Sequence, residues 1–115
     1  MLGLISNDSP RLTLDKAKQF AAESRNFSEF WQKLDKEQPY PDLRGSNGSI
    51  ILMYYLNDEG DKYILVSPDL GYAEYYDKNT DPSSGSEIIN DPEGVRSSDV
   101  RNVLNKMSEI EEAFR

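Results

Sequence analysis

Residues 49–77 constrain the fold more than any other part of the chain. Three apolar and aromatic segments, SIILMYYL (49–56), DKYILVS (61–67) and YAEYYD (72–77), are separated only by NDEG (57–60) and PDLG (68–71). β-Branched and aromatic residues at this density favour strands, and short links rich in Asn, Asp, Gly and Pro favour turns. Strands joined so tightly must run antiparallel, because a parallel pair needs a crossover of about a dozen residues or more. The predicted centre of the molecule is therefore an antiparallel meander.

Helical spacing brackets this centre. In TLDKAKQFAAES, Leu14, Ala17, Phe20 and Ala21 recur on one side and Thr13 is a candidate N-cap. SEFWQKLDKEQ predicts a second short helix, capped by Ser28, with Phe27, Phe30, Trp31 and Leu34 on its apolar side. Pro39, Pro41 and two glycines in PYPDLRGSNG (39–48) end it and predict a loop. The C-terminal stretch places Val100, Val103, Leu104, Met107, Ile110 and Phe114 in one stripe, with Ser97, Ser98 and Asp99 suited to a helix start. Residues 1–11 are expected to be a loose lead-in. Residues 78–96 are expected to be a long acidic loop with a short edge strand at 87–89. The predicted fold is one α+β domain spanning 1–115, in the order α-α-β-β-β-(β)-α, with the amphipathic C-terminal helix packed on one face of the meander.

Two four-residue turns would pair Leu56 with Asp61 and Ser67 with Tyr72. Alternation then divides the sheet into two faces. Ile51, Met53, Tyr55, Ile64, Val66, Ala73 and Tyr75, edged by a Lys62–Asp77 pair, form the expected floor for Val103, Leu104, Met107 and Ile110. Ile50, Leu52, Tyr54, Leu56, Tyr63, Leu65, Tyr72, Glu74 and Tyr76 form the other face, partly covered by the N-terminal helices. Tyr75 is thus expected in the core, and Tyr72, Glu74 and Tyr76 outside.

Charge is unevenly distributed. The formal net charge is −8, yet residues 1–56 carry seven acids against seven bases and residues 100–115 carry three against three. Residues 57–99 carry eleven acids against Lys62, Lys78 and Arg96, so the whole excess of eight lies there. Such a field repels nucleic acid and membrane surfaces and steers basic partners. It also serves solubility.

Cysteine and histidine are absent. That removes disulfides, thiol nucleophiles, the usual zinc sites and every triad built on histidine. DKNTDPSSGSEI (77–88) sets Asp77, Asn79 and Asp81 at alternating positions, but a calcium loop needs glycine where Pro82 stands and glutamate where Ile88 stands. Gly45 and Gly48 do not lead from a strand into a helix, as a phosphate loop must. Carboxylate pairs such as Asp58 with Asp61, or Glu74 with Asp77, are the remaining acid–base candidates. No catalytic, cofactor-binding or metal-binding residue is assigned. No run reaches the ~20 apolar residues of a membrane span, and the N-terminus lacks a signal-peptide pattern, so a cytoplasmic protein is expected.

Tyrosine offers a large rigid surface and a hydroxyl, which suits it to interfaces, and acids around it select a basic partner. The expected partner-binding residues are Tyr72, Glu74, Tyr76, Asp77, Asp81 and Glu87. In size, acidity and lack of catalytic residues the chain resembles the immunity proteins that bacteria make against their own nuclease toxins; the resemblance covers no motif. It implies an inhibitor that masks a basic surface of a toxin such as a nuclease, without binding nucleic acid itself, as monomer or dimer. The alternatives are a phage or mobile-element inhibitor that mimics DNA, a structural or adaptor domain, and a carboxylate enzyme or small-ligand binder.

Overall fold

The computed structural model describes residues 12–38, 41–46, 49–80 and 85–113. The expected lead-in (1–11), Asp81 and Phe114 lie outside the described residues, as does the side chain of Ile110. Three helices and five strands follow one another as α1 (Leu14–Glu23), α2 (Phe27–Glu37), β1 (Asp42–Ser46), β2 (Ser49–Tyr55), β3 (Lys62–Ser67), β4 (Tyr72–Asp77), β5 (Ser86–Asn90) and α3 (Ser97–Ala113). A 3-10 turn at Pro92–Gly94 precedes α3. The five strands form one antiparallel sheet in sequence order, β1 to β5. The domain is α+β.

Local chemistry sets the ends of the helices. The Thr13 hydroxyl accepts from the Lys16 amide at 3.1 Å and starts α1. In α2 the cap is Asn26, not Ser28: Asn26 Oδ1 accepts from the Glu29 amide at 2.9 Å. Ser28 is buried inside the helix, and its hydroxyl reaches the Gly94 carbonyl at 2.7 Å and the Asp99 carboxylate. It thereby ties α2 to the start of α3. Gly71, at φ +66°, takes a left-handed turn against residues 91–92. A β-carbon there would sit 2.8 Å from the Asp91 carbonyl carbon and from the Pro92 Cα, so only glycine lets the β3–β4 turn dock.

One strand departs from the expectation of a loop at 39–48. Asp42–Ser46 is a strand, pairing Asp42 with Met53 and Leu43 with Leu52. Leu43 is its one apolar residue in the helix-side row, and an edge position tolerates its glycine and polar residues. The Asn47-Gly48 dipeptide between the paired Ser46 and Ser49 is the sequence a two-residue hairpin favours. At the other edge the expected short strand spans Ser86–Asn90, with an irregularity opposite Ala73 and Glu74.

The β3–β4 register is the expected one, pairing Lys62 with Asp77 and Ser67 with Tyr72. The β2–β3 register differs by one residue. Tyr55 pairs with Tyr63 and Tyr54 with Ile64, and the Leu56 amide donates to the Lys62 carbonyl. Asn57 takes up the extra residue: its Oδ1 accepts from the Gly60 amide at 3.1 Å and from the Lys62 amide at 3.3 Å. Gly60 supplies the left-handed conformation, at φ +75°.

A slip of one residue turns every side chain of a strand over. Ile50, Leu52 and Tyr54 therefore join Ile64, Val66 and Ala73 on one face, while Ile51, Met53 and Tyr55 take the other. All three helices cover the first face. Leu12 and Ala17, Phe27, Phe30, Trp31 and Leu34, and Val103 form a single core with those strand residues. The N-terminal helices thus share a layer with α3 instead of covering the opposite face. A fully buried Leu or Phe contributes about 1.5–3 kcal/mol, whereas exposed ion pairs such as Arg25–Glu29 add little, so packing decides this arrangement.

In α3 the core-facing residues are Val100, Val103 and Met107. Leu104, expected in the core, is 50% exposed. The helix leans on α2 as well as on the sheet, through Lys106–Asp35 at 3.0 Å and Asp99–Ser28. Leu104 lies about 100° around the helix from Val103 and points away from both. Between α2 and β2, Trp31 Nε1 donates to the Tyr54 hydroxyl at 2.8 Å, which donates to Asp35 at 3.3 Å. Burial first, and the Asp35 charge second, push the Tyr54 hydroxyl well above the usual phenol range.

Candidate protein-binding face

Among the described residues no helix covers the second face of the sheet, which the register fills in rows. One row crosses all five strands as Asp42, Met53, Leu65, Glu74 and Glu87. Beside it runs Tyr55, Tyr63 and Tyr76. Arg44 and Ile51 share the face at β1 and β2, and Tyr72 shares it at β4. Met53, Leu65, Ile51 and the four tyrosines are only half-buried.

The tyrosines are ordered by one another. Tyr63 and Tyr76 stack with centroids 5.5 Å apart and planes 10° apart. Tyr55 meets Tyr63 edge-on at 6.1 Å. Lys78 Nζ sits 5.6 Å from the centre of the Tyr63 ring, within cation–π range. A groove of about 530 Å³ continues the row towards the β2–β3 turn, lined by Gln38, Tyr55, Asn57, Asp58, Glu59, Gly60 and Lys78.

Glu74 is gripped from both sides. The Tyr72 hydroxyl donates to its Oε2 at 2.8 Å, and the Tyr76 hydroxyl to its Oε1 at 2.5 Å. The bond to Glu74 is the main reason the Tyr76 hydroxyl is pushed up to about 12, with burial second. The same contact raises Tyr72, and the Glu87 charge adds to it. At the β1 end, Arg44 pairs with Asp42 at 2.9 Å and the Tyr55 hydroxyl donates to Asp42 at 3.3 Å. Burial, then the Asp42 charge, raise the Tyr55 hydroxyl.

Of the sequence-derived candidates, Tyr72, Glu74, Tyr76 and Glu87 come together here. Asp77 does not. It alternates with Tyr76 to the helix side of the sheet, where its carboxylate accepts from the Asn79 amide at 2.9 Å and the Thr80 hydroxyl at 3.0 Å and shapes the turn after β4. Glu74 and Asp77 therefore point to opposite sides and do not form an acid–base pair. Asp61, the other carboxylate considered, is held by the Asn57 and Asn79 amides, whose hydrogen bonds lower it below the usual carboxylate range. Among the described residues no group of three or more acidic side chains is placed to hold a metal ion, and no helix is long and apolar enough to cross a membrane.

Sequence reasoning missed Asp42, Arg44 and Tyr55 as members of this face. The Asn47-Gly48 hairpin signal would have added β1, and with it Asp42 and Arg44. Tyr55 depended on the register at Asn57. Compared with known protein families, curated proteins and solved structures, the chain matches none.

Proposed function

We propose that this is a small acidic protein-binding protein whose open sheet face masks a basic surface of its partner. The uncovered face, with a row of ordered tyrosines beside Glu74 and Glu87, carries the reading. Tyrosines that hold one another need little further ordering on binding, and half-buried apolar residues between them supply area to desolvate. The acid excess of residues 57–99 attracts a basic partner and speeds encounter. The best biological fit is an immunity or inhibitor protein acting in the bacterial cytoplasm against a toxin such as a nuclease, which must itself present a basic surface to nucleic acid. Met53 and Leu65, set between the charged ends of the long row, suit protein contact better than the phosphate-like spacing of acids that DNA mimicry needs.

The test is capture of the partner from the native host, followed by an assay of the captured protein's activity. The parent protein should bind a basic protein and suppress its activity at a 1:1 ratio. Tyr76→Ala should weaken that binding by at least about tenfold while the circular dichroism stays unchanged. Equal binding by the parent and Tyr76→Ala would place the interface elsewhere.

A further inference from the structure

The edge strand β1 ends the sheet with backbone groups that no strand among the described residues pairs. Register sets which groups these are. The Leu56 amide donates to the Lys62 carbonyl, so Tyr54 and Leu52, of the same parity in β2, also direct their backbone groups to β3. Ile51 and Met53 direct theirs the other way, to their partners Arg44 and Asp42 in β1. Leu43 and Gly45 alternate with those two, so their N–H and C=O groups point out from the free edge.

An edge of this kind is a template for another strand, and proteins commonly guard it with charge, bulges or proline. The charges on β1 have a pattern of their own. Asp42 and Arg44 flank Leu43, and both side chains lie on the open face, paired with each other at 2.9 Å. Turned end for end, Asp42-Leu43-Arg44 presents the opposite charge at each outer position. A two-fold axis at Leu43 therefore sets Asp42 opposite Arg44 of a second copy, and Arg44 opposite its Asp42. Leu43 meets Leu43 of the second copy as a pair that exchanges two N–H···O bonds, and each Gly45 amide donates to the Pro41 carbonyl opposite.

Neighbouring registers fail. With Asp42 at the axis the two Asp42 carboxylates face each other, and with Arg44 at the axis the two guanidiniums do; like charges directly opposite are destabilising. Pro41 has no amide to donate, so a register centred there loses its central pair. The other edge offers no such match. β5 carries Glu87 and lies in the half of the chain that holds the whole acid excess, so two copies repel there. β1 lies in residues 1–56, where seven acids balance seven bases. Leu43 also packs against the core from the helix side, and its contact with Leu43 of the second copy extends that core across the axis.

We infer that the β1 edge pairs with the β1 edge of a second copy, joining two five-stranded sheets into one antiparallel sheet. The contact uses the same patch on both copies, so assembly closes at two chains. The axis runs perpendicular to the sheet, which sets the two open faces side by side and the helices of both copies on the opposite side. This goes beyond the protein-binding reading and stands without it.

Sedimentation velocity of the full chain between about 5 and 500 µM reads the assembly. The parent protein should pass from monomer to dimer over that range. Arg44→Asp sets like charges opposite each other on both sides of the axis and should weaken the dimer by about tenfold or more. Asp42→Arg should do the same. The double substitution D42R/R44D restores opposite charges in reversed order and should restore the dimer. Hydrogen exchange on the parent protein gives a reading that needs no variant. The Leu43 amide should exchange slowly at high concentration and fast on dilution, while the Arg44 amide, which faces β2, stays protected at both. A chain that is monomeric throughout, a dimer that Arg44→Asp leaves intact, or a Leu43 amide indifferent to concentration overturns the pairing. A folded D42R/R44D protein that stays monomeric overturns it too.

Discussion

Tyr76 shows how much one residue carries on the open face. Its ring stacks on Tyr63, its hydroxyl holds Glu74, and its ring lies 2.8 Å from where a β-carbon at Gly85 would sit. The hydroxyl bond has a consequence for pH. The folded state holds the Tyr76 proton up to about 12, above the ordinary phenol value of 10.0. Below 10 both the folded and the unfolded chain keep the proton, and the contribution to stability is complete. Between about 10 and 12 the unfolded chain releases it first, so stability falls as pH rises. Urea unfolding followed from pH 9 to 12 should show that decline, and Tyr76→Phe should flatten it. Tyr54 is raised for a different reason, burial, and Tyr54→Phe should flatten the curve separately. That Tyr72, Glu74 and Tyr76 share a face was legible in YAEYYD, because alternation in a strand admits no other grouping. Their mutual hydrogen bonds were not, since these depend on the choice of rotamer.

At the scale of elements, α3 separates a pattern from a contact. Val103 and Leu104 are equivalent in the sequence stripe, yet Val103 is fully buried and Leu104 is half exposed. Val103→Ala should therefore lower the unfolding free energy by about 2 kcal/mol, and Leu104→Ala should change it by less than about 0.5 kcal/mol. Urea denaturation of the two variants side by side checks this, and equal losses would mean that α3 is rotated from its position here. A helix stripe is broad enough to serve two neighbours. Which residues at its edges are covered depends on where the second neighbour lies, and α2 lies on the Lys106 side.

For the molecule as a whole, layering and charge act together. With all three described helices on one side, the sheet leaves its other face uncovered among the described residues, and Glu74 and Glu87 lie on it. Asp58, Glu59, Asp69 and Glu93 are exposed on the turns. Neutralising these four should slow association with the basic partner and flatten its salt dependence, with the dissociation rate and the melting temperature nearly unchanged. Stopped-flow association at two ionic strengths reads this directly. An unaltered association rate at low salt would assign the charge to solubility alone.

The sequence alone determined the class of the fold, the two terminal helical regions, the meander and the β3–β4 register. These follow from short-range chemistry: apolar period, turn residues and the reach of a tight link. Only the tertiary structure decided which face of β2 is core. Ile50, Leu52 and Tyr54 are as apolar as Ile51, Met53 and Tyr55, so alternation could not choose between them. The choice fell to Asn57, whose side chain accepts two turn amides and lengthens the link by one residue. That residue sends Tyr54 to Trp31 and Asp35 and Tyr55 to the open face. The location of the free surface thus depends on where three helices bury the most apolar area together, a property of contacts far apart in the chain.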